Sequence, residues 1–551
     1  MNREGANGNF TEGLSMIIFR STAILLLFLI TSSSRAQEGR SMQGAFGTVT
    51  IDGKMWNQIA LRPVVPVWKF AVALDLVFYF DQDGNIHKDE WDFSNPEATK
   101  NTIIDKIYYI RYGLKQDPLY CKVGSLDRVD MGYGILVNAY SNAIQYPQVR
   151  KVGLDYKVKT KFGTFEGFIN DFKENIGVTG LRIKSPLISS LPVALSFVID
   201  RNQYLGLRDG DNDGVPDIVD AFPINSSYAI DSDGDGLADS NPDELDRDGD
   251  GYLDAGDIND IHAWWDDLGN TVGVDFSNES YYDSLPDGSI DLAPDPLNVN
   301  KDSDPIGAIA LDIGYPVLTQ EKLSVKLYAQ AAKMLGETVH PKKGNGNLAL
   351  GTGLVPLGVL TIFGPAQLNL EYRMIPKGQF EFGYWNRSYQ IERATFSNVD
   401  SLGMQVRTKE QRLGRYGRQN GYFASLSLKL GSLLRAGAAY QDLTGEIWNS
   451  DLGEYEENKN KNFLASISLS KPISKIKSAR WFYQQQNVPN PFKFEPSEST
   501  VMGYRVGIGL GSGMVLNYTF QRTYRDLNGD GRVDGPDETI NITTIETSFT
   551  F

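Results

Sequence analysis

The sequence predicts an all-β protein, a transmembrane antiparallel β-barrel of roughly 16–22 strands with an acidic, largely irregular insertion. Three observations lead to this prediction: many short stretches in which apolar and polar residues alternate, a regular exchange of short and long connections, and an uneven distribution of charge. Residues 207–305 hold 27 acidic and 3 basic residues, a net charge of −24, whereas the rest of the chain carries +8. The chain is therefore a mildly basic body with one strongly acidic insertion.

The N-terminus has the pattern of a secretory signal peptide. Arg20 precedes the apolar run 23–30, and Ser34-Arg35-Ala36 is a small-x-small cleavage site, so we expect residues 1–36 to be removed. That run is too short to span a bilayer, and no later run is long enough for a membrane helix. A membrane form of the mature chain must therefore be a closed barrel.

The body of the chain alternates with a period of two, which is a strand signal. In 69–80, one face holds Phe70, Val72, Leu74, Leu76, Phe78 and Phe80, and the other holds Lys69, Ala71, Ala73, Asp75 and Tyr79. A soluble sandwich or propeller would bury the apolar face, whereas a membrane barrel would turn it toward lipid and the polar face toward a lumen. On the barrel interpretation, the lumen-facing residues include Lys326, Gln330, Asn369, Glu371, Arg373, Arg505, Asn517 and Gln521.

The connections between these stretches favour the barrel. Counting backwards from the C-terminus, the short connections 511–513, 471–475, 431–432 and 376–378 alternate with the long connections 525–538, 487–499, 442–461 and 388–420. Short periplasmic turns and long external loops give this rhythm. If the last strand descends to the periplasm, 306–315 also descends and the acidic insertion is external.

The sequence leaves two segments open. Segment 348–365 fits one strand, two strands or a partly internal segment, and 124–148 is long enough to fold into the lumen or to remain outside.

The insertion carries a repeated pattern of carboxylates around a glycine. In three copies the residues stand at positions 1, 3, 5 and 9 of a twelve-residue loop, with Gly214, Gly236 and Gly251 at position 6. The copies are Asp209, Asp211, Asp213, Asp217 and Asp220; Asp231, Asp233, Asp235, Asp239 and Asp243; and Asp246, Asp248, Asp250, Asp254 and Asp257. The middle copy has Pro242 at position 12, so Asp243 or Glu244 must replace the last ligand. Calcium takes six to eight oxygen ligands, and the glycine permits the turn that directs them inward. We therefore predict that Ca²⁺ binds here.

A fourth loop of this type precedes the last predicted strand. Asp526, Asn528, Asp530 and Asp537 occupy positions 1, 3, 5 and 12. Two degenerate copies, 81–90 and 283–291, lack ligands and leave metal binding open. The single Cys121 and three scattered histidines exclude a disulfide framework and make a zinc site improbable.

The repeats of the insertion resemble thrombospondin type 3 repeats, which wrap chains of calcium ions with little regular secondary structure. The remainder resembles bacterial outer-membrane porin-like barrels, and the alternating ending 545–551 with its terminal Phe551 is similar to the signal that the barrel-insertion machinery reads. The resemblance implies a signal peptide at 1–36, barrel parts at 37–206 and 306–551, and a calcium-binding extracellular insertion at 207–305.

Two functions fit these features. The first is an outer-membrane channel for small hydrophilic solutes with a calcium-stabilised external domain. The second is a surface adhesin or surface-layer anchor in which the barrel displays that domain. An enzyme is not expected, because no histidine stands in a catalytic context. The expected partners are outer-membrane lipid, the insertion machinery and an external protein or glycan, but not nucleic acid; a homo-oligomer is compatible with the sequence.

Overall fold

The computed structural model describes residues 41–51, 54–87, 91–146, 149–174, 177–188, 191–244, 295–342, 344–399, 403–511, 513–528 and 532–550. The predicted signal peptide, the third calcium-type copy, Asp530 and Phe551 lie outside the described residues. Within those residues, no helix combines the length and the apolar composition needed to cross a membrane.

The strands of the described chain follow one another with few helices between them. They are β1 (Ser41–Ile51), β2 (Lys54–Val67), β3 (Phe70–Leu74), β4 (Leu76–Phe80), β5 (Ile107–Tyr112), β6 (Leu119–Gly124), β7 (Gly153–Lys159), β8 (Thr164–Ile169), β9 (Val178–Ile188), β10 (Leu191–Asp200), β11 (Ile306–Thr319), β12 (Leu323–Leu335), β13 (Glu337–Val339), β14 (Asn347–Ala349), β15 (Thr352–Phe363), β16 (Ala366–Ile375), β17 (Ala394–Val399), β18 (Gly403–Thr408), β19 (Tyr416–Leu430), β20 (Leu434–Asn449), β21 (Glu454–Leu469), β22 (Ile476–Val488), β23 (Val501–Gly511), β24 (Met514–Tyr524) and β25 (Thr539–Thr550). Helices α1 (Pro96–Asp105) and α2 (Tyr389–Glu392) and the 3₁₀ turns Gln203–Gly206, Gln411–Arg415, Pro491–Lys493 and Pro536–Glu538 lie in connections.

The sheet closes on itself as an antiparallel barrel. Each barrel strand pairs with the next, and β25 pairs with β1 from Thr544↔Val49 to Thr550↔Gln43. Strands β3 and β4 both pair with β2 and are two halves of one strand, interrupted at Asp75, whose N–H donates to the Lys106 carbonyl at 2.9 Å. The barrel therefore has 20 strands, and the predicted fold class is confirmed.

The outward face of the wall is apolar. In β10, Leu195, Phe197 and Ile199 are exposed, whereas the alternating Ala194, Ser196 and Val198 are buried. The same alternation turns Phe70 and Phe78 outward and buries Ala71, Ala73, Asp75 and Tyr79 inside the barrel. The apolar side chains thus face the exterior, which is the arrangement of a membrane-spanning barrel and excludes the soluble sandwich.

Two of the predicted connections were wrong. Residues 442–461 are not a loop but belong to the 16-residue strands β20 and β21, which are joined at 450–453. The short connection between β15 and β16 is 364–365, and 376–415 is a single long connection rather than a short turn followed by a strand. Segment 348–365, which the sequence left open, contributes one barrel strand, β15, and the strand predicted after 376 is absent from the barrel. The insertion therefore still leaves the barrel at the end that bears the long loops.

Two long connections fold into the lumen, as the sequence allowed for 124–148. We call residues 125–152 inner loop 1 and residues 376–415 inner loop 2. They contact each other through backbone hydrogen bonds from Gly383 N to Ile135 O (2.9 Å) and from Trp385 N to Leu136 O (3.1 Å). Their apolar side chains, which include the fully buried Trp385, pack in one cluster against small wall residues such as Ala308 and Ala332. The hydrophobic core of this protein therefore lies inside the barrel, at the long-loop end.

Candidate channel site and cation loops

The lumen-facing wall is polar, and its carboxylates are paired. Arg62 binds Asp75 and Glu546 at 2.7 Å each, and Arg182 binds Asp312 at 2.8 Å and Glu166 at 2.6 Å. Two further pairs are Arg373–Glu371 (2.6 Å) and Lys115–Asp155 (2.9 Å). These pairs satisfy buried charge on the inner surface.

The residues predicted to face the lumen do so. Gln330, Glu371, Arg373 and Asn517 are buried on the inner side of the wall, and Gln521 donates to the Ile144 carbonyl of inner loop 1 at 2.7 Å. Asn369 and Glu371 both accept from the hydroxyl of Tyr328, at 2.6 Å each. Tyr328 in turn stacks on Tyr133 of inner loop 1, with ring centroids 3.9 Å apart.

A buried ionic network fastens both inner loops to the wall. Arg393 of inner loop 2 is fully buried and binds the two oxygens of Asp200 in β10 at 2.6 and 2.7 Å, and Glu174 at 2.7 Å. Lys151 of inner loop 1 binds the other oxygen of Glu174. Burial opposes the ionised form of Glu174, but Arg393 and Lys151 outweigh burial and lower its pKa to about 2. Glu174 therefore keeps its charge throughout the ordinary pH range.

The same network reaches the base of the acidic insertion. Arg393 donates to the Asn202 carbonyl at 3.0 Å, and the Asn202 amide donates to the carbonyls of Val299 (3.0 Å) and Asp302 (2.9 Å). Val299 N in turn donates to Gly214 O at 2.7 Å, within the first calcium-type loop. The two ends of the insertion are thus tied together at the barrel rim beside inner loop 2.

One acidic group in inner loop 2 lacks such compensation. Burial, together with the charge of nearby Asp304, raises the pKa of Glu410 to about 7. Because the folded pKa lies above the ordinary value, the stability that the bound proton contributes is full below about pH 4.5 and is lost as pH rises through about 7.

We expect Glu410→Gln to raise the thermal midpoint in detergent by roughly 1–3 °C at pH 8 and to leave it unchanged at pH 4.5. The amide keeps the shape of the protonated carboxyl without the charge that Asp304 repels. Glu454→Gln, on an exposed side chain of β21, is the matched control and should change nothing at either pH. An equal gain at pH 4.5 and pH 8 would contradict the assignment.

A cavity lies where inner loop 2 meets the wall. Its empty volume is about 530 Å³. It is lined by the aromatic rings of Phe382, Phe423 and Phe463, by Arg373 and Arg387, and by the carboxamides of Asn138, Asn386, Gln441, Asn462, Gln484 and Gln486. A second cavity of about 810 Å³, nearer the short turns, is lined by Tyr108, Tyr109, Arg111, Lys115, Tyr120, Lys122 and Asp127. The lumen thus offers aromatic faces, amides and cations.

The first and middle calcium-type loops have one geometry. Carboxylate oxygens of Asp209, Asp211 and Asp213 lie within 4.8 Å of one another, and so do those of Asp231, Asp233 and Asp235. In both loops the carboxylate at position 1 accepts from the N–H groups at positions 4 and 6, with distances of 2.7 and 2.9 Å in the first loop and 2.7 and 3.0 Å in the middle loop. The repeats are therefore the same structure as well as the same pattern.

The predicted ligands at positions 9 and 12 are arranged differently from those at positions 1, 3 and 5. Asp217 and Asp239, at position 9, accept from the N–H at position 2 and close the loops at 2.5 and 2.8 Å. Asp220 is buried, and one of its carboxylate oxygens has no hydrogen-bond partner among the described residues. Asp243 is exposed and lies outside the group of three in its loop. The structure thus brings together positions 1, 3 and 5 in two copies.

The other candidate loops are less complete in the described residues. Next to the exposed Asp537, Glu538 is buried and accepts from Leu527 N (3.1 Å) and Gly535 N (2.7 Å). In the degenerate copy 81–90, the Asp81 carboxylate accepts from Asp83 N and Asn85 N at 3.0 and 2.8 Å, which makes a polar turn. Asp246, Asp248, Asp250, Asp254 and Asp257, like 283–291, lie outside the described residues.

Sequence reasoning missed two kinds of functional residue. In the two copies that the structure describes, position 4 has a positive φ, 63° at Asn212 and 77° at Gly234, and so does the glycine at position 6. An Asn or Gly at position 4 of every copy was the available signal. Arg387 and Arg393 carried no signal, because their segment has no strand periodicity and their partners are distant in sequence.

No family model matches the sequence, and no curated protein is similar to it. Among solved structures, OccK5 (OpdH) of Pseudomonas aeruginosa matches at 7% identity over 93% of this chain and 97% of its own, with a TM-score of 0.34. OprD of P. aeruginosa matches at 8% identity over 93% and 94%, with a TM-score of 0.32. The ferric enterobactin receptor PfeA of P. aeruginosa matches at 8% identity over 94% and 81%, with a TM-score of 0.33. At this similarity the matched proteins carry no information about the solutes or partners of this chain.

Proposed function

We propose that the chain is a porin-like channel of the bacterial outer membrane for small hydrophilic solutes, with an extracellular domain that calcium stabilises. The observation that carries the channel is the closed wall: its outward face is apolar, and its inward face presents paired charges, amides and two cavities. A barrel of this strand number encloses space beyond what wall side chains fill. The inner loops then narrow the passage and determine what enters.

The test is single-channel recording of the purified protein in planar bilayers with potassium chloride. We expect discrete conductance steps, smaller than those of an unobstructed barrel of the same strand number because the inner loops occupy part of the lumen. The absence of steps from folded protein would overturn the channel and favour the display function. The apolar cluster between the inner loops is the observation that supports display, because it fills part of the lumen with a packed core.

Calcium fits the first loop on two counts. All candidate ligands are oxygens, which hard cations prefer, and three carboxylates converge within 4.8 Å. One oxygen of Asp211 and one of Asp220 are buried without a hydrogen-bond partner among the described residues. Burial, together with the charges of Asp213 and Asp211, raises the pKa of Asp209 to about 6, so the loop without a cation is electrostatically unfavourable. A bound Ca²⁺ would supply the missing positive charge to these carboxylates.

The placement of the insertion outside the cell follows from the same proposal. All long connections, including the insertion, leave the barrel at one end, together with the short hairpins at 52–53 and 450–453, whereas every connection at the other end is only two to six residues long. Outer-membrane barrels place short turns in the periplasm. The extracellular location thus rests on loop length.

A further inference from the structure

The lumen carries positive charge that its own carboxylates do not neutralise. On neighbouring strands β22 and β23, Arg480 lies directly opposite Arg505, and on β19 and β20, Lys429 lies directly opposite Arg435. All four occupy the inward positions, because Trp481, Tyr504 and Leu430 on the alternate positions are exposed outward. Like charges directly opposite on adjacent strands destabilise a sheet. The described residues form no ion pair with any of these four side chains.

A fifth cation lies in the cavity beside inner loop 2. The Arg387 guanidinium stacks on Phe482, 3.9 Å from the ring centroid, and forms no ion pair with the described residues. Burial, together with the charges of Arg480 and Arg128, lowers the pKa of Arg387 to about 10, so the group is held in a site that disfavours its charge. Arg128 is already bound to Asp130 at 2.6 Å. A negatively charged solute bound here would compensate the positive charge of Arg387.

The residues around Arg387 indicate which other functional groups that solute has. Six carboxamides line the cavity. Asn386 is bonded to Gln486 and Ser388, and Gln441 accepts from Arg373, but the remaining amide N–H groups and oxygens of the set supply the donors and acceptors that hydroxyl groups require. A guanidinium binds a carboxylate through two parallel hydrogen bonds. The Lys429–Arg435 pair stands on the same two strands as Phe423 and Gln441 of the cavity, toward the short turns. Cations thus lead from the cavity toward that end of the lumen.

We propose that the channel selects small hydroxylated organic anions, with Arg387 binding the carboxylate, the carboxamides binding hydroxyls, and the Arg480–Arg505 and Lys429–Arg435 pairs drawing the anion along the wall. This inference rests on the proposed function as a channel and specifies its solute class. A passage lined by one sign of charge concentrates ions of the other sign on the order of 10-fold or more.

The test uses N-methylglucamine gluconate, a salt whose cation and anion share a six-carbon polyol skeleton. The reversal potential across a planar bilayer under a gradient of this salt reports which ion permeates. We expect gluconate to permeate about tenfold better than N-methylglucamine. Conductance with equal permeabilities, or with a preference for the cation, would overturn the anion inference and leave the channel intact. No conductance in this salt or in potassium chloride would overturn the channel itself.

Substitutions locate the binding site. We expect Arg387→Gln to lower gluconate permeability about three- to tenfold while sorbitol flux into proteoliposomes, the neutral measure of an open pore, stays unchanged. Arg387→Lys keeps the charge and should retain the sign of selectivity with weaker block by added gluconate. Arg522→Gln removes the same charge from the outward face of β24 and should change neither flux. An equal loss of gluconate and sorbitol flux in Arg387→Gln would contradict binding at this site.

Discussion

Removing calcium will expose the acidic insertion to proteolysis and leave the barrel folded. With a chelator, no counter-charge offsets the repulsion among the carboxylates of Asp209, Asp211 and Asp213, which the folded loop holds within 4.8 Å of one another, and the segment has too few apolar residues to fold by itself. We expect chymotrypsin to cut after Tyr228 or Leu237 roughly tenfold faster or more in chelator than in calcium. The fragments are identified by mass, and barrel integrity by resistance to unfolding in cold detergent on a gel.

Two controls make this result specific. Adding calcium back should restore protection, whereas magnesium should not, because magnesium keeps its waters and demands a tighter octahedral site. The double variant Asp209→Asn, Asp213→Asn should be cut in calcium as fast as the natural chain in chelator. Equal cleavage rates with and without chelator would count against calcium as the stabilising ion.

Replacing Arg393 will release inner loop 2 from the wall. Arg393→Met leaves Asp200 and Glu174 buried without their shared counter-charge, a loss that costs about 3–5 kcal/mol when one partner of a buried ion pair is removed. We expect cleavage within 376–415, larger conductance steps and a lower thermal midpoint. The defect should be greatest at neutral pH and smaller near pH 4, because the pKa of Glu174 is no longer lowered by Arg393 and its protonation then removes part of the uncompensated charge.

The matched controls separate charge from packing. Arg522→Met removes a half-buried, outward-facing arginine that is hydrogen-bonded to Asn541 and should have no measurable effect. Adding Asp200→Asn to Arg393→Met removes one of the stranded charges and should recover part of the stability. Stability and conductance equal to those of the natural chain in Arg393→Met would show that the network does not hold the loop.

The sequence predicted the strands of the barrel wall better than the inner loops that fill part of the lumen. Alternation identifies a strand wherever one face meets lipid, so the pattern of 69–80 is sufficient to place Phe70 and Phe78 outward and Asp75 and Tyr79 inward. It also predicted the grouping of Asp209, Asp211 and Asp213, because a loop of fixed length brings fixed positions together. These features depend on residues close in sequence.

What the sequence could not predict depends on distant partners. Arg393 contacts Asp200 across 193 positions of the chain, and no local pattern marks either residue. The aromatic residues of segment 376–415 are buried against inner loop 1 and not against lipid. Their spacing therefore does not follow the period of a lipid-facing strand, and the prediction wrongly divides the segment into a turn and a strand. The predicted boundary near 442–461 is wrong because charged residues extend along strands β20 and β21 beyond the apolar band.

The length of β20 and β21 has a consequence for the entrance. A 16-residue strand rises about 3.3 Å per residue and, tilted by about 40°, climbs roughly 40 Å, whereas the apolar band of a membrane barrel is about 25 Å tall. The upper part of this hairpin, with the exposed Glu456, Glu457 and Lys459, therefore extends about 15 Å beyond the apolar band and carries charge on one side of the barrel entrance. Solutes reach the lumen past an asymmetric rim, and the hairpin places fixed charges at the level of the lipid headgroups.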